Sequence, residues 1–187
     1  MLIYWFADVI IILYDRNKPI CTRRLIMSEE ELRKHRCCFT GHRPEKLHLP
    51  EDKIKSLLGT AIKQAIHDGF TTFISGMARG IDIWAAELVL EERKNNDVIK
   101  LVCASPLLGF ERSWNEQEKL SYNSIIEKAD YVKYVSDHYF RACFQVRNEW
   151  MVDRSNRVIA VFNGEKGGTL NTINYAKRKN VEVINLL

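Results

Sequence analysis

The residues best suited to chemistry in this chain fall in four short stretches, each directly after a β-forming run. Thr40-Gly41-His42-Arg43-Pro44 follows the first run and Ser75-Gly76-Met77-Ala78-Arg79-Gly80-Ile81-Asp82 the second. Ser105-Pro106 follows the third and Asn163-Gly164-Glu165-Lys166-Gly167-Gly168-Thr169 the fifth. Glycines let a backbone approach a ligand closely and take up positive φ. Free N–H groups at a helix start, reinforced by the helix dipole, favour an anion. Ser75-Gly76 and Gly167-Gly168-Thr169 each precede a helical pattern, so each can form half of an anion cradle, and Arg43 and Arg79 can add bidentate charge. The chemistry these types support together is phosphate binding.

Each residue also has an ordinary structural use. A glycine between strand and helix is a common turn residue, and Thr169 can serve as an N-cap alone. Arg43 and Arg79 can be surface charges. His42 is either a solvated turn residue or an acid–base group. Asp82 sits in a first helical turn, where the dipole stabilises a carboxylate without any function, and Glu87 lies off the apolar face of the same helix. Should the protein be an enzyme, Asp82, Glu87 and His42 are its acid and base candidates. Arg147 shares a helical stripe with Phe140, Cys143, Phe144 and Met151. A cation in an apolar stripe needs a partner, either a buried carboxylate (Asp153 or Glu87) or a ligand phosphate. Trp84, Trp114, Tyr122 and Trp150 can stack on a base, or fill the core as helical aromatics usually do.

The elements that must position these residues alternate along the chain. Strands are expected at 36–40, 71–74, 98–104, 131–135, 157–162 and 181–186. Helices are expected at 52–67, 81–93, 113–129, 140–153 and 167–179, from apolar residues recurring at i, i+3 and i+4. Asp68-Gly69 closes the first of these helices, and Ser113-x-x-Glu116 predicts a capping box for the third. Val158-Ile159-Ala160-Val161-Phe162 is apolar throughout, as a strand covered on both faces should be. Strand–helix alternation argues for an α/β fold with a mostly parallel sheet. Ligands bind at the carboxyl ends of the strands in such a sheet, and all four glycine-rich or polar stretches lie there.

The 187 residues suit one domain at 36–187. Hydrophobic residues make up 46% and charged residues 28%, with a net charge of +4, a balance that suits an anionic ligand without marking a nucleic-acid binder. Five cysteines, two of them adjacent, with no C-x-x-C pair, argue against a disulfide framework or a zinc site and for reduced thiols in a cytoplasmic protein. Residues 1–35 read as an appendage. Leu2–Tyr14 is almost continuously apolar but too short to span a membrane, and no membrane partner is expected. Residues 1–26 are read as the product of a misplaced start codon, with an extra strand or a membrane-surface segment as the competing readings.

At Ser75–Asp82 the chain resembles the Ser-Gly-x-Ala-x-Gly-Ile-Asp signature of DprA/Smf proteins, which join the LOG, or lysine decarboxylase-like, proteins in the SLOG superfamily. Thr40–Pro44, Trp84-Ala85-Ala86-Glu87, Arg147-Asn148, Val152-Asp153 and Gly167-Gly168-Thr169 resemble its YpsA branch, and the likeness covers residues 36–187. It implies a Rossmann-like three-layer sandwich with helices on both faces. It also implies a pocket for a nucleotide or nucleotide-derived ligand, and the convergent loops point to a sensor or binding module for it. Carried over by position, the ligand contacts are Gly41, Arg43, Ser75, Gly76, Gly80, Asp82, Gly167, Gly168 and Thr169, with Arg147 and Asn148 lining the same cleft. LOG proteins place a glutamate after their Gly-Gly-x-Gly-Thr stretch. Leu170-Asn171-Thr172 stands there instead, which counts against LOG-like hydrolysis of a nucleoside phosphate. Single-stranded DNA binding, as in DprA, is the other alternative, and the resemblance extends to a homodimer.

Overall fold

The computed structural model describes residues 28–187; the Leu2–Tyr14 run and the start-site reading for 1–26 lie outside the described residues. A short helix, α1 (Glu29–Lys34), opens the described chain. No periodic pattern predicts it, because six residues are too few. It forms because Ser28 Oγ accepts the Glu31 N–H at 3.2 Å and three glutamates fill its first turn. Glu29 pairs with the buried Arg36 at 2.6 Å, and the Arg33 guanidinium donates to the Ser155 carbonyl at 2.9 Å.

Strand and helix then alternate: β1 (Arg36–Gly41), α2 (Glu51–His67), β2 (Thr72–Ser75), α3 (Ile81–Asn95), β3 (Lys100–Ser105), α4 (Glu116–Lys128), β4 (Tyr131–Tyr134), α5 (Cys143–Asp153), β5 (Arg157–Val161), α6 (Gly168–Arg178) and β6 (Glu182–Asn185). All six strands are parallel, in the order β4-β3-β2-β1-β5-β6. This is the three-layer α/β sandwich that the alternation predicts. Two boundaries differ from expectation. The cap of α4 is Asn115, whose Oδ1 accepts the Glu118 N–H at 2.9 Å. Ser113 is instead spent in a 3-10 turn over Phe110–Ser113, so the expected capping box is not formed. Helix α5 begins at Cys143, three residues later than its apolar stripe suggests.

The period of two along a strand divides the core. Cys37, Phe39, Phe73, Leu101, Cys103, Ile159 and Val161 face α2, α3 and α4. Cys38, Ile74, Val102, Ala104 and Val158 face α5 and α6. β1 is central, pairing with β2 on one side and β5 on the other. No helix among the described residues is long and apolar enough to cross a membrane. Phe39 is fully buried at mid-strand with its ring stacked on Phe73 at 6.1 Å. Phe39→Ala is expected to cost about 3–5 kcal/mol, read as a lower urea midpoint with an unchanged slope.

Candidate functional site

The chain builds β1 to β4 outward in one direction, then crosses back to lay β5 on the other side of β1. Where strand order reverses, the loops after neighbouring strands leave in opposite directions and open a crevice. A cleft of about 270 Å³ lies there, walled by the ends of β1, α3, α5 and α6. Gly41, His42, Arg43, Asp82, Arg147, Asn148, Gly167, Gly168 and Thr169 line it, together with Lys46, Ala78, Phe144 and Lys166. Sequence reading had not singled out Phe144 or Lys166 as ligand contacts. The available signals were position: Phe144 is three residues before Arg147 on one stripe, and Lys166 directly precedes the glycine pair.

The floor of the cleft is a buried ion pair. Arg147 Nη1 donates to Asp82 Oδ2 at 3.0 Å, with both side chains more than nine-tenths buried. Asp82 is therefore the partner that the apolar stripe of α5 demands, rather than Asp153 or Glu87. Asp153 instead accepts from Tyr175 at 3.0 Å and pairs with Lys179 at 3.1 Å. Asp82 Oδ2 also accepts the Ala78 N–H at 3.1 Å. Ser75 Oγ accepts the Met77 N–H at 3.1 Å and donates to the Asp82 carbonyl at 2.8 Å. Ser75 thus shapes the turn and does not line the cleft. Gly76 is required by contact: a Cβ there would lie 1.4 Å from Arg147 Nη1. Among the described residues, two polar atoms of the pair have no hydrogen-bond partner, Asp82 Oδ1 and Arg147 Nε.

The other wall is the start of α6. Its N-cap is Gly167, at φ 155°, so no side chain caps the first turn. Thr169 lies inside the helix and is not its cap. Thr172 Oγ1 donates to the Gly168 carbonyl at 2.8 Å and accepts from Asn148 Nδ2 at 2.9 Å, tying α5 to α6. A Cβ on Gly168 would meet nothing within 4 Å, so the space before this turn is open. Arg43 lines the cleft half-buried; its carbonyl accepts the Lys46 N–H at 2.9 Å, and its guanidinium makes no hydrogen bond or ion pair among the described residues. Burial lowers its pKa, an effect that Asp82 opposes and Arg147 and Arg79 reinforce.

His42 is 5% exposed, its ring stacked on Phe162 at 5.4 Å and its Nε2 without a hydrogen-bond partner among the described residues. It is a buried group, not a solvated turn residue. Burial holds its pKa below the usual 6.5, so the imidazole is neutral at pH 7.

Other expected residues stand elsewhere. Arg79 is held by Glu118 at 2.7 Å and Glu45 at 2.9 Å, outside the cleft. Gly80, at φ 82°, turns the chain into α3 against Pro44. Glu87 pairs with Lys55 at 3.7 Å on the outer side of α3, apart from Asp82 and His42. Ser105 accepts from the Tyr122 hydroxyl at 2.8 Å and donates to the Leu107 carbonyl at 3.2 Å. The stretch after β3 is therefore structural, and three of the four stretches converge. Tyr122 is core, with Trp114 edge-on to it at 5.5 Å; Lys55 covers Trp84 and Arg154 covers Trp150.

These features define a Rossmann-like α/β protein with an anion-suited cleft at its strand-order reversal. The chain belongs to the YpsA family: the family model, described as the YspA SLOG family, matches residues 37–185. A UPF0398 protein of Macrococcus caseolyticus (strain JCSC5402) is 32% identical over 135 residues, covering 68% of this chain and 73% of the relative. One from Bacillus thuringiensis (strain Al Hakam) is 28% identical over 154 residues, covering 78% and 84%. Among solved structures, DNA processing protein A (DprA) of Streptococcus pneumoniae superposes with a TM-score of 0.59 at 17% identity, over 82% of this chain and 50% of that one. The Helicobacter pylori protein, a single-stranded DNA binder, gives 0.59 at 18% identity, over 84% and 66%. The chain thus spans half of one DprA and about two thirds of the other, and at these identities the likeness is one of fold.

Removing one member of a buried ion pair strands the other charge. Arg147→Met is expected to destabilise by about 3–5 kcal/mol, with Asp82→Asn/Arg147→Met recovering part of the loss in chemical denaturation. His42 gives a pH signature. Below pH 6.5 the unfolded chain takes up a proton that the folded imidazole resists, so stability falls as pH drops from 6.5 towards the depressed folded value. The stability gap between wild type and His42→Gln is expected to be constant above pH 7. Below 6.5 it should shift in favour of the variant; a pH-independent gap would contradict the buried neutral imidazole.

Proposed function

We propose that this cleft binds a nucleotide or nucleotide-derived ligand, as a sensing or binding module, with a phosphate at the start of α6 and Arg43 as its counter-charge. The observation that carries the reading is Arg43 itself: a half-buried cation whose guanidinium has no hydrogen bond or ion pair among the described residues, lining the same cleft as an uncapped helix N-terminus. A buried cation is stable only when paired, and α6 has unsatisfied N–H groups for the same anion. Arg147 and Arg79 are already neutralised within the protein, which leaves Arg43 and Lys166 for the ligand. The unpartnered Asp82 Oδ1 and His42 Nε2 offer hydrogen bonds to a sugar or base. Membership of the SLOG family supports a nucleotide-class ligand, as does the fold shared with a single-stranded DNA binder. Binding is favoured over hydrolysis because Leu170 to Thr172 supply no glutamate at the LOG spacing.

The test is a thermal-shift panel on the full chain, with AMP, ADP, NAD, ADP-ribose, cyclic nucleotides and inorganic phosphate. A ligand at 100 times its Kd adds about 2.7 kcal/mol, a rise of roughly 5–10 °C for a domain of this size. Gly168→Asp separates folding from binding. Its side chain has room, and a carboxylate in the first helical turn stabilises by about 0.3–1 kcal/mol, so the free protein is expected to melt no lower than wild type. The same carboxylate fills the anion cradle, so the ligand-induced rise should vanish. A full rise in Gly168→Asp would overturn the phosphate assignment.

A further inference from the structure

The polar seam between α5 and α6 continues past the cleft. A second groove of about 460 Å³ lies along the two helices, lined by Arg141, Ala142, Gln145, Asn171, Asn174 and Arg178. The groove and the cleft share no lining residue but are set on the same two helices. Asn171 is one turn beyond Gly168, and Asn174 and Arg178 follow on the same face. Gln145 is one turn before Asn148, which lines the cleft and holds Thr172. Arg141 and Arg178 are exposed and form no ion pair among the described residues; Arg178 lies over the Tyr175 ring at 5.5 Å. The groove is lined by two cations and three amides, with no carboxylate. Glu149, one turn further along α5, accepts from Gln145 at 2.8 Å.

Aromatic surface borders the same path. Phe144 lines the cleft, and Tyr139 packs edge-on to it at 6.3 Å while remaining 66% exposed. Phe140 is 38% exposed beside it, and Arg141 is the next residue. Exposed rings thus stand beside cations that no carboxylate among the described residues neutralises. The same combination is what an unpaired strand requires: charge to follow the phosphates, π-faces for splayed bases, and amides for sugars and base edges. A duplex hides its base faces and has no use for such rings.

We propose that this groove is an interaction surface for a single-stranded nucleic acid, one phosphate of which occupies the cleft at the start of α6. Adjacent phosphates then follow Arg141 and Arg178, and an unpaired base stacks on Tyr139. The proposal rests on the nucleotide reading of the cleft and adds the class of ligand, a polymer rather than a free nucleotide.

Fluorescence anisotropy on the full chain tests it, with end-labelled dT oligomers of 2 to 12 nucleotides and a matching rU series, at 50 and 200 mM salt. Affinity is expected to rise with length over the first several nucleotides and to fall steeply with salt. Each phosphate neutralised on a single strand contributes about 0.7 to the log–log salt slope. Arg141→Glu/Arg178→Glu should therefore lower the slope by about 1.4 and flatten the length dependence. The thermal shift given by a mononucleotide should stay as in wild type. Tyr139→Ala should weaken oligomer binding about fivefold, and the deoxy and ribo series distinguish DNA from RNA. Oligomers that bind no tighter than a mononucleotide, or that bind the double variant with an unaltered slope, would overturn the groove while leaving the cleft's function standing. A chain that responds to neither mononucleotide nor oligomer would overturn both readings.

Discussion

Arg147 on α5 and Asp82 on α3 are 65 residues apart in sequence, and their contact ties the two helices together at the floor of the cleft. A guanidinium and a carboxylate lose several kcal/mol of hydration each on burial, so they are tolerated only in close, well-bonded contact. That requirement reaches outward. Gly76 must lack a side chain for the guanidinium to lie across it. The turn from Ser75 to Gly80 must direct the Ala78 N–H at the carboxylate, and Ser75 must brace that turn. Helix α5 is thereby held against the start of α3, on the far side of the crevice from α6. The cleft exists because this pair fixes one wall while Asn148 and Thr172 join α5 to the other.

The pair also divides the cations into two groups. Arg147 and Arg79 look like ligand-binding residues by type and position, yet both are neutralised by carboxylates of the protein. Arg43 and Lys166 have no such partner among the described residues. Side-chain caps are sparse among the described helices: α1 and α4 have one, and α2, α3, α5 and α6 do not. Asn115 satisfies the first turn of α4, whereas α6 begins on a glycine that satisfies nothing.

Much of this was legible in the residues. The periods of 2 and 3.6 gave the order of strands and helices from β1 to β6, and the apolar run at 158–162 identified β5 as buried on both faces. Glycine-rich stretches after β1, β2 and β5 located the cleft. What escaped was whatever depends on contacts distant in sequence or on a few residues. Helical spacing shows that Arg147 faces inward but cannot show which carboxylate meets it, and Asp82 had a sufficient local explanation in its helix dipole. Arg79 sits inside the most telling stretch, but Glu45 and Glu118 draw its side chain outward. Ser105 follows a strand like the others, but its hydroxyl is committed to Tyr122 and Leu107. Asn115 and Ser113 are both good caps, and only the 3-10 turn before α4 decides between them.

The adjacent cysteines of β1 carry a separate consequence. Cys37 points into the layer of α2, α3 and α4, and Cys38 into the layer of α5 and α6, both fully buried. Burial pushes the Cys37 thiol well above its usual range and Cys38 to about 12, so neither sulfur is nucleophilic in the closed fold. Neighbours in sequence, they are insulated from each other by the thickness of a sheet. Alkylation of one marks the parting of one helical layer, and alkylation of the other marks the second. The chain thus carries paired chemical clocks on its innermost strand, able to reveal whether the sandwich peels layer by layer or comes apart as a unit.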